Sequence, residues 1–149
     1  MAYTIRELYE SRCINVPKVS GIYFVKKPKN FNIEINIATV SYQYIKDKSL
    51  IYDKSLLGKK YEKLLDKDIL YIGKANCKNG LHKRIKQYIL YGYQKSKLHK
   101  GGRAIWQIIN CKDLIVEFYE CHDCELQEKK LLMEYHNRNG TYPLANWRL

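Results

Sequence analysis

The sequence predicts a mixed α/β (α+β) fold, with short strands and amphipathic helices around one core. The first indication is two runs of β-branched and aromatic residues, GIYFV at 21–25 and ILYI at 69–72. The second is a change to helical spacing after Gly80. The third is a length of 149 residues with a hydrophobic fraction of 46%, which suits one domain with a real core. We therefore expect a single domain over residues 1–149.

Capping residues and apolar positions at helical spacing predict the helices. Thr4 is a suitable N-cap for a short first helix. The helix that starts at residue 80 carries its apolar stripe at Leu81, Ile85, Tyr88 and Ile89. A further helix is expected over residues 103–109 and a third strand over residues 114–119. The last helix is predicted to begin near Asp123 and to direct four side chains inward: Leu126, Leu131, Leu132 and Tyr135.

Residues 26–68 lie between the first two strands and are too many for a hairpin loop. Two sets of apolar residues alternate within this segment: Ile33, Ile35 and Ile37, then Val40, Tyr42 and Tyr44. Such alternation predicts an inserted hairpin. The polar, lysine-rich residues that follow are expected to be partly helical.

Positive charge is concentrated in one part of the chain. Lysine and arginine number 27 against 15 acidic residues, and the net charge is +12. No Asp or Glu occurs from Ile69 to Lys112, a segment with ten lysines and arginines. Such a block attracts a polyanion. Compositional bias with a solvated lysine face would explain the number of lysines, but not the missing acids.

The cysteines and the start of the chain suggest a reducing compartment. Five cysteines cannot all pair within one chain, and the first ten residues lack the apolar region of a signal peptide. No apolar run reaches the roughly 18 residues of a membrane span. We therefore expect a cytoplasmic protein that does not enter a membrane. Zinc is disfavoured because Cys121 and Cys124 form the one CxxC pair.

Two tripeptides lie on the first two predicted strands, Gly21-Ile22-Tyr23 and Tyr71-Ile72-Gly73. The residues that follow them in order are Lys74, Arg84, Tyr88, Glu128, Leu131-Leu132, Tyr135, Pro143 and Asn146. This succession resembles the signature of the GIY-YIG endonuclease superfamily, over residues 16–25 and 69–147. The resemblance implies a small three-stranded antiparallel sheet flanked by helices. Residues 26–68 would be an insertion, longer than the family's usual loop.

The resemblance also implies a reaction, the metal-dependent hydrolysis of phosphodiester bonds in DNA. Tyr23 would be the general base toward water. Because a free phenol has a pKa of about 10, a nearby cation must favour its phenolate form, and Lys74 is the expected cation. Tyr71, on the neighbouring strand, would help to order the water or the phosphate.

The remaining implied roles concern the phosphate and the metal. Arg84 would clamp two phosphate oxygens with its planar fork of donors, and Tyr88, one turn along, would reach the same phosphate. Glu128 would hold one Mg²⁺ or Mn²⁺, with water and phosphate completing the metal shell. Asn146 would support the site by hydrogen bonds from the tail.

Several basic residues outside the signature are expected to contact DNA: Lys78, Lys83, Lys86, Lys97, Lys100 and Arg103. One alternative is a basic nucleic-acid-binding module on the same fold that does not catalyse. Another is a protein-interaction domain in which the insertion is the working part. The set Tyr23, Arg84 and Glu128 favours the enzyme, because binding alone does not need it. The oligomeric state stays open.

Overall fold

The computed structural model describes residues 1–36, 44–45, 48–49, 51–96 and 101–147, with backbone only for residues 44, 45, 48 and 49. The elements in chain order are β1 (Ala2–Thr4), α1 (Ile5–Glu10), β2 (Gly21–Lys26), β3 (Tyr44–Ile45), β4 (Lys48–Ser49), α2 (Lys54–Glu62), β5 (Ile69–Ala75), α3 (Gly80–Gly92), β6 (Ile115–Glu120) and α4 (Cys124–Asn139). Two short 3₁₀ helices, Arg103–Gln107 and Cys111–Asp113, lie between α3 and β6.

Four of the described strands form an antiparallel sheet in the order β1-β6-β2-β5. The prediction of three strands was one strand short. The missed strand, β1, has three residues and runs directly into α1, so its pairing with β6 is what makes it a strand. The predicted N-cap is confirmed, because the Thr4 hydroxyl accepts a hydrogen bond from the Glu7 backbone at 3.1 Å.

The sheet is the middle layer of the fold, because alternate residues of β2 and β5 face opposite sides. One face packs against α4 through a small cluster of buried residues: Ile22, Phe24, Ile72, Cys124 and Leu132. The other face carries the larger core, which includes Tyr23, Tyr71, Ile85, Tyr88 and Trp106. The sheet thus holds Tyr23 and Tyr71 on the side of α3.

The insertion differs from the predicted hairpin. Ile35 forms an isolated bridge with Ile108, whereas the hairpin β3–β4 lies further along the chain. Ile37, Val40 and Tyr42, which belonged to the predicted alternation, lie outside the described residues. The expected helical part is present as α2, which begins at an Asp53 N-cap.

The predictions for two helical segments also need correction. The segment predicted as a helix over residues 103–109 is a 3₁₀ helix that stops at Gln107, because Ile108 turns to extended backbone and pairs with Ile35. In α4, Leu126 is 70% exposed rather than inward. The buried residues of α4 are Cys124, Leu132 and Tyr135, and Leu126 lies about 200° around the helix from Cys124.

Candidate active site

Tyr23 lies over the edge strand β5 because its cross-strand partner is Gly73. A Cβ atom at position 73 would lie 2.4 Å from Tyr23 Cζ and 2.7 Å from the phenol oxygen. Any side chain larger than hydrogen would therefore collide with the ring. The two tripeptides are complementary, since one supplies the ring and the other supplies the space for it.

Glu128 and Arg84 reach the same region from two helices on opposite faces of the sheet. Glu128 lies four residues after Cys124 and four before Leu132, both buried, so it shares the inward stripe of α4. Its side chain is 17% exposed. Arg84 lies four residues before the buried Tyr88 and thus on the flank of the inward stripe of α3.

A cavity of about 270 Å³ lies where these side chains meet. It is lined by Tyr23, Tyr71, Lys74, Ala75, Asn76, Cys77, Arg84 and Glu128. The predicted base, phosphate clamp and metal ligand therefore share one cavity, although the first and the last of them, Tyr23 and Glu128, are more than 100 residues apart along the chain. The rings of Tyr23 and Tyr71 meet edge to face in its wall, with centroids 6.0 Å apart.

Burial raises the pKa of both phenols in this cavity. Tyr23 is 1% exposed, and burial, with Tyr71 adding to the effect, raises its pKa well above the ordinary value, while Arg84 acts in the opposite direction. For Tyr71, burial raises the pKa to about 12. The cation that lowers the pKa of Tyr23 in this structure is Arg84, and the acidifying role expected of Lys74 stays a prediction. Lys74 lies 3.5 Å from Glu125 and 3.8 Å from Glu128.

Glu128 is the carboxylate that can hold a metal ion in this cavity. Burial raises its pKa, while Lys74 and Arg84 lower it. Among the described residues no three His, Cys, Asp or Glu side chains gather in one group, so an ion at Glu128 would draw most of its ligands from water and substrate. Magnesium commonly binds in this way. The donor set therefore fits Mg²⁺ or Mn²⁺, provided that Lys74 gives up its ion pair.

Tyr88 does not line the cavity. It is completely buried, and its hydroxyl donates a hydrogen bond to the Gly102 carbonyl oxygen at 3.0 Å. Its ring contacts Trp106, with centroids 4.8 Å apart, and stacks on Tyr71 at 5.8 Å. The predicted contact with phosphate is therefore replaced by a place in the core, where Tyr88 supports the cavity-lining Tyr71.

Asn146 binds the backbone of the strand that carries Tyr71. Its amide oxygen accepts a hydrogen bond from the Ile72 N–H at 2.9 Å, and its amide nitrogen donates to the Ile72 carbonyl at 3.0 Å. Asn146 is itself buried. Its support of the site thus passes through Ile72, which lies between Tyr71 and Gly73.

The structure describes four of the six basic residues expected to contact DNA, and these four have different surroundings. Lys78 and Lys83 are exposed next to cavity-lining positions. Lys86 instead borders a separate cavity of about 450 Å³ between α1 and α3. Arg103 lies over the ring of Tyr52, 4.9 Å from its centroid. The other two predicted residues, Lys97 and Lys100, lie outside the described residues.

The sequence analysis did not identify three residues that lie near the site. Asn76 and Cys77 line the cavity, and their position just after the second tripeptide is the signal that could have found them. Tyr52, in the insertion, is close enough to Tyr71 to raise the pKa of its phenol. No sequence pattern points to Tyr52.

Comparisons with family models, with curated proteins and with solved structures gave no match for this chain. In the part of the chain that the structure describes, no helix combines the length and the apolar character needed to cross a membrane. The arrangement of side chains around the cavity is therefore the basis on which a function can be argued.

Proposed function

We propose that this chain is a metal-dependent endonuclease of the GIY-YIG type that hydrolyses phosphodiester bonds in DNA. The observation that carries the proposal is the single cavity lined by Tyr23, Arg84 and Glu128. Phosphodiester hydrolysis needs an activated water, a cation on the phosphate oxygens and stabilisation of the leaving oxygen. Tyr23 could activate the water and Arg84 could bind the phosphate oxygens, while Glu128 could hold the metal ion that stabilises the leaving oxygen.

Arg84 has two tasks in this proposal. Its guanidinium can bind two phosphate oxygens at once, which a lysine ammonium cannot do with the same geometry. It is also the cation that lowers the pKa of Tyr23 against the effect of burial. We therefore assign to Arg84 the acidifying role that the resemblance gave to Lys74.

Glu128 would bind the divalent ion, which supplies a Lewis acid for the leaving oxygen. Lys74, held between Glu125 and Glu128, would be released toward the phosphate when Glu128 takes up the ion. Lys78 and Lys83, both exposed beside the cavity, extend the positive surface along which a DNA backbone would run.

We expect the rate of DNA cleavage to rise with pH through the neutral and alkaline range. The base is active when deprotonated, and the pKa of Tyr23 is raised, so its active fraction increases about tenfold per pH unit below that pKa. The raised pKa of Glu128 acts in the same direction, because its carboxylate must be free to bind the ion. The measurement is the cleavage rate of plasmid, branched and single-stranded DNA with Mg²⁺ or Mn²⁺ at a series of pH values.

Tyr23→Phe is the variant that isolates the base. It keeps the buried ring and removes the hydroxyl, so the fold is retained while the alkaline rise in rate is lost. A Tyr23→Phe protein with the wild-type rate at every pH would show that another group activates the water. Absence of cleavage of all these substrates by the wild-type protein would refute the proposed function itself.

A Tyr88→Phe variant should lose stability but keep its cleavage rate. The Gly102 carbonyl would lose the hydrogen bond from Tyr88 and keep the one from the Ile105 N–H at 3.2 Å, so the expected cost is that of one hydrogen bond, about 0.5–1.5 kcal/mol. Urea unfolding gives the change in the free energy of unfolding, and the cleavage assay gives the rate. A large loss of rate in a folded variant would return Tyr88 to the catalytic set.

One observation favours a second candidate function, that of a non-catalytic nucleic-acid-binding module. Lys74 already occupies the position next to Glu128 at 3.8 Å, where it competes with a metal ion. A binding module would retain DNA with an affinity that falls steeply with salt, and would leave the DNA intact in Mg²⁺ and in Mn²⁺. Gel-shift titrations at several salt concentrations, analysed together with the cleavage assay, separate the two functions.

A further inference from the structure

The tail that follows α4, described over residues 140–147, covers part of the outer edge of β5. Ala145 donates its backbone N–H to the Leu70 carbonyl oxygen at 2.9 Å, and the side chain of Asn146 binds both backbone groups of Ile72. An edge strand otherwise presents such groups unpaired. The candidate active site is lined by Tyr71, Lys74 and Ala75 of the same strand and by the two residues that follow it. The tail therefore holds the strand that lines the cavity.

Lys60, in the insertion helix α2, holds this tail. Its ammonium group donates hydrogen bonds to the carbonyl oxygens of Leu144, at 3.2 Å, and of Asn146. It also lies 3.7 Å from the centre of the Trp147 ring, which stacks on Tyr52 with centroids 4.9 Å apart. An ammonium group has three donors and is attracted to the face of an indole. Lys60 thus joins three residues of the tail, Leu144, Asn146 and Trp147, to the insertion.

We propose that Lys60 is a positioning residue for the candidate active site, acting through the tail on the strand that carries Tyr71 and Gly73. The inference rests on the proposed function for the meaning of that site. The path of contacts runs from the Lys60 ammonium to Asn146, and from the Asn146 amide to the backbone of Ile72. A shift of Ile72 displaces both its neighbours, and with them the ring of Tyr71 and the space over Gly73.

This path gives the insertion a part in catalysis without contact with the substrate. Small displacements of reacting groups have large effects on rate, with about a hundredfold loss for a shift of 1 Å. The tail has buried residues at Leu144 and Ala145, and the Ala145 and Asn146 N–H groups donate to Leu70 and Pro143. Lys60 adds bonds to the carbonyls on both sides of Ala145, which tie the backbone that carries the Asn146 amide to α2.

The first test is amide hydrogen exchange at Ile72, whose N–H donates to Asn146. Lys60→Met removes the charge and the donors, whereas Lys60→Arg keeps both. We expect exchange at Ile72 to accelerate about tenfold or more in Lys60→Met, since its protection depends on the local stability of the tail, and to be largely restored in Lys60→Arg. Lys59→Met, at an exposed position of the same helix, is the matched control and should leave exchange unchanged. Unchanged exchange in a folded Lys60→Met protein would overturn the proposal.

The second test is a double-mutant cycle with Asn146→Ala. If Lys60 acts through Asn146, the effects of the two substitutions on exchange at Leu70 and Gly73 should not add, because both break the same path. Full additivity would mean that Lys60 acts on the strand by another route, contrary to the proposal.

The third test separates positioning from stability. In Lys60→Met the kcat of DNA cleavage should fall by about tenfold to a hundredfold while KM stays near that of the wild type, and Lys60→Arg should recover most of the kcat. An unchanged kcat together with accelerated exchange would overturn the positioning role. If the wild-type protein cleaves no DNA, the proposed function fails, and the exchange at Ile72 still decides whether Lys60 holds the strand.

Discussion

Replacing Glu128 by glutamine is expected to abolish metal-dependent cleavage while leaving the fold intact. The side chain keeps its size, and a neutral amide suits a half-buried place in which burial already raises the pKa of the carboxyl group. Loss of the metal ion removes several kcal/mol of transition-state stabilisation, which corresponds to a loss of roughly a thousandfold in rate. The measurements are the cleavage rate and the Mn²⁺ affinity of the purified variant, with circular dichroism to check the fold.

Glu125→Gln is the matched control for this substitution. Glu125 lies one turn before Glu128, and both carboxylates lie within 4.0 Å of the Lys74 ammonium. Glu125 is 62% exposed at its side chain and is not among the residues that line the candidate cavity. Its substitution should change the rate little. Equal losses in both variants would point to a general effect of negative charge on α4, and would remove Glu128 from the role of metal ligand.

Gly73→Ala is expected to damage both stability and cleavage. The added methyl group would lie 2.4 Å from Tyr23 Cζ, and the ring is fully enclosed, so either the phenol moves or β2 and β5 separate. Overpacking of this kind costs about 1–3 kcal/mol, and any movement of the phenol takes its hydroxyl out of the cavity. Urea unfolding and the cleavage rate of the folded fraction measure the two effects.

Gly58→Ala provides the contrast. Gly58 lies inside α2, and a Cβ atom there would meet nothing within 4 Å. Alanine favours the helix by about 0.5–1 kcal/mol relative to glycine, so this variant should be slightly more stable and should cleave at the wild-type rate. A Gly73→Ala protein that behaves like Gly58→Ala would show that the register of Tyr23 with Gly73 does not matter for the site.

The elements that sequence reasoning located best are those defined by local patterns. The stripe of α3 at Leu81, Ile85, Tyr88 and Ile89 is buried as predicted. The β2 and β5 strands contain the two apolar runs. The convergence of Tyr23, Arg84 and Glu128 on one cavity was also expected, from the resemblance rather than from periodicity. Periodicity does, however, distinguish Glu128, which lies at i+4 from Cys124 and at i−4 from Leu132.

The features that sequence reasoning missed depend on contacts between distant parts of the chain. β1 is a strand because it pairs with β6, and the alternation that suggested a hairpin at Ile35 serves a bridge to Ile108. The ion pairs of Lys74 with Glu125 and Glu128 could not be read from the sequence, because they join β5 to a helix about 50 residues further along the chain. Lys60 has no signature, since its partners are backbone carbonyls more than 80 residues away.

The two hydrophobic clusters on either side of the sheet differ in size, and the smaller one gives the first turns of α4 a low local stability. The small cluster joins Cys124 and Leu132 of α4 to three buried residues of the sheet. The N-cap of α4, Asp123, makes no side-chain capping bond, whereas Tyr135 near the end of the helix belongs to the large core. Opening of these first turns costs less free energy than global unfolding, and they carry Glu128. Partial melting there would leave a folded domain that still has its phenols and its guanidinium but has lost its carboxylate. Under the proposed function, inactivation and denaturation are then expected to be two separate events.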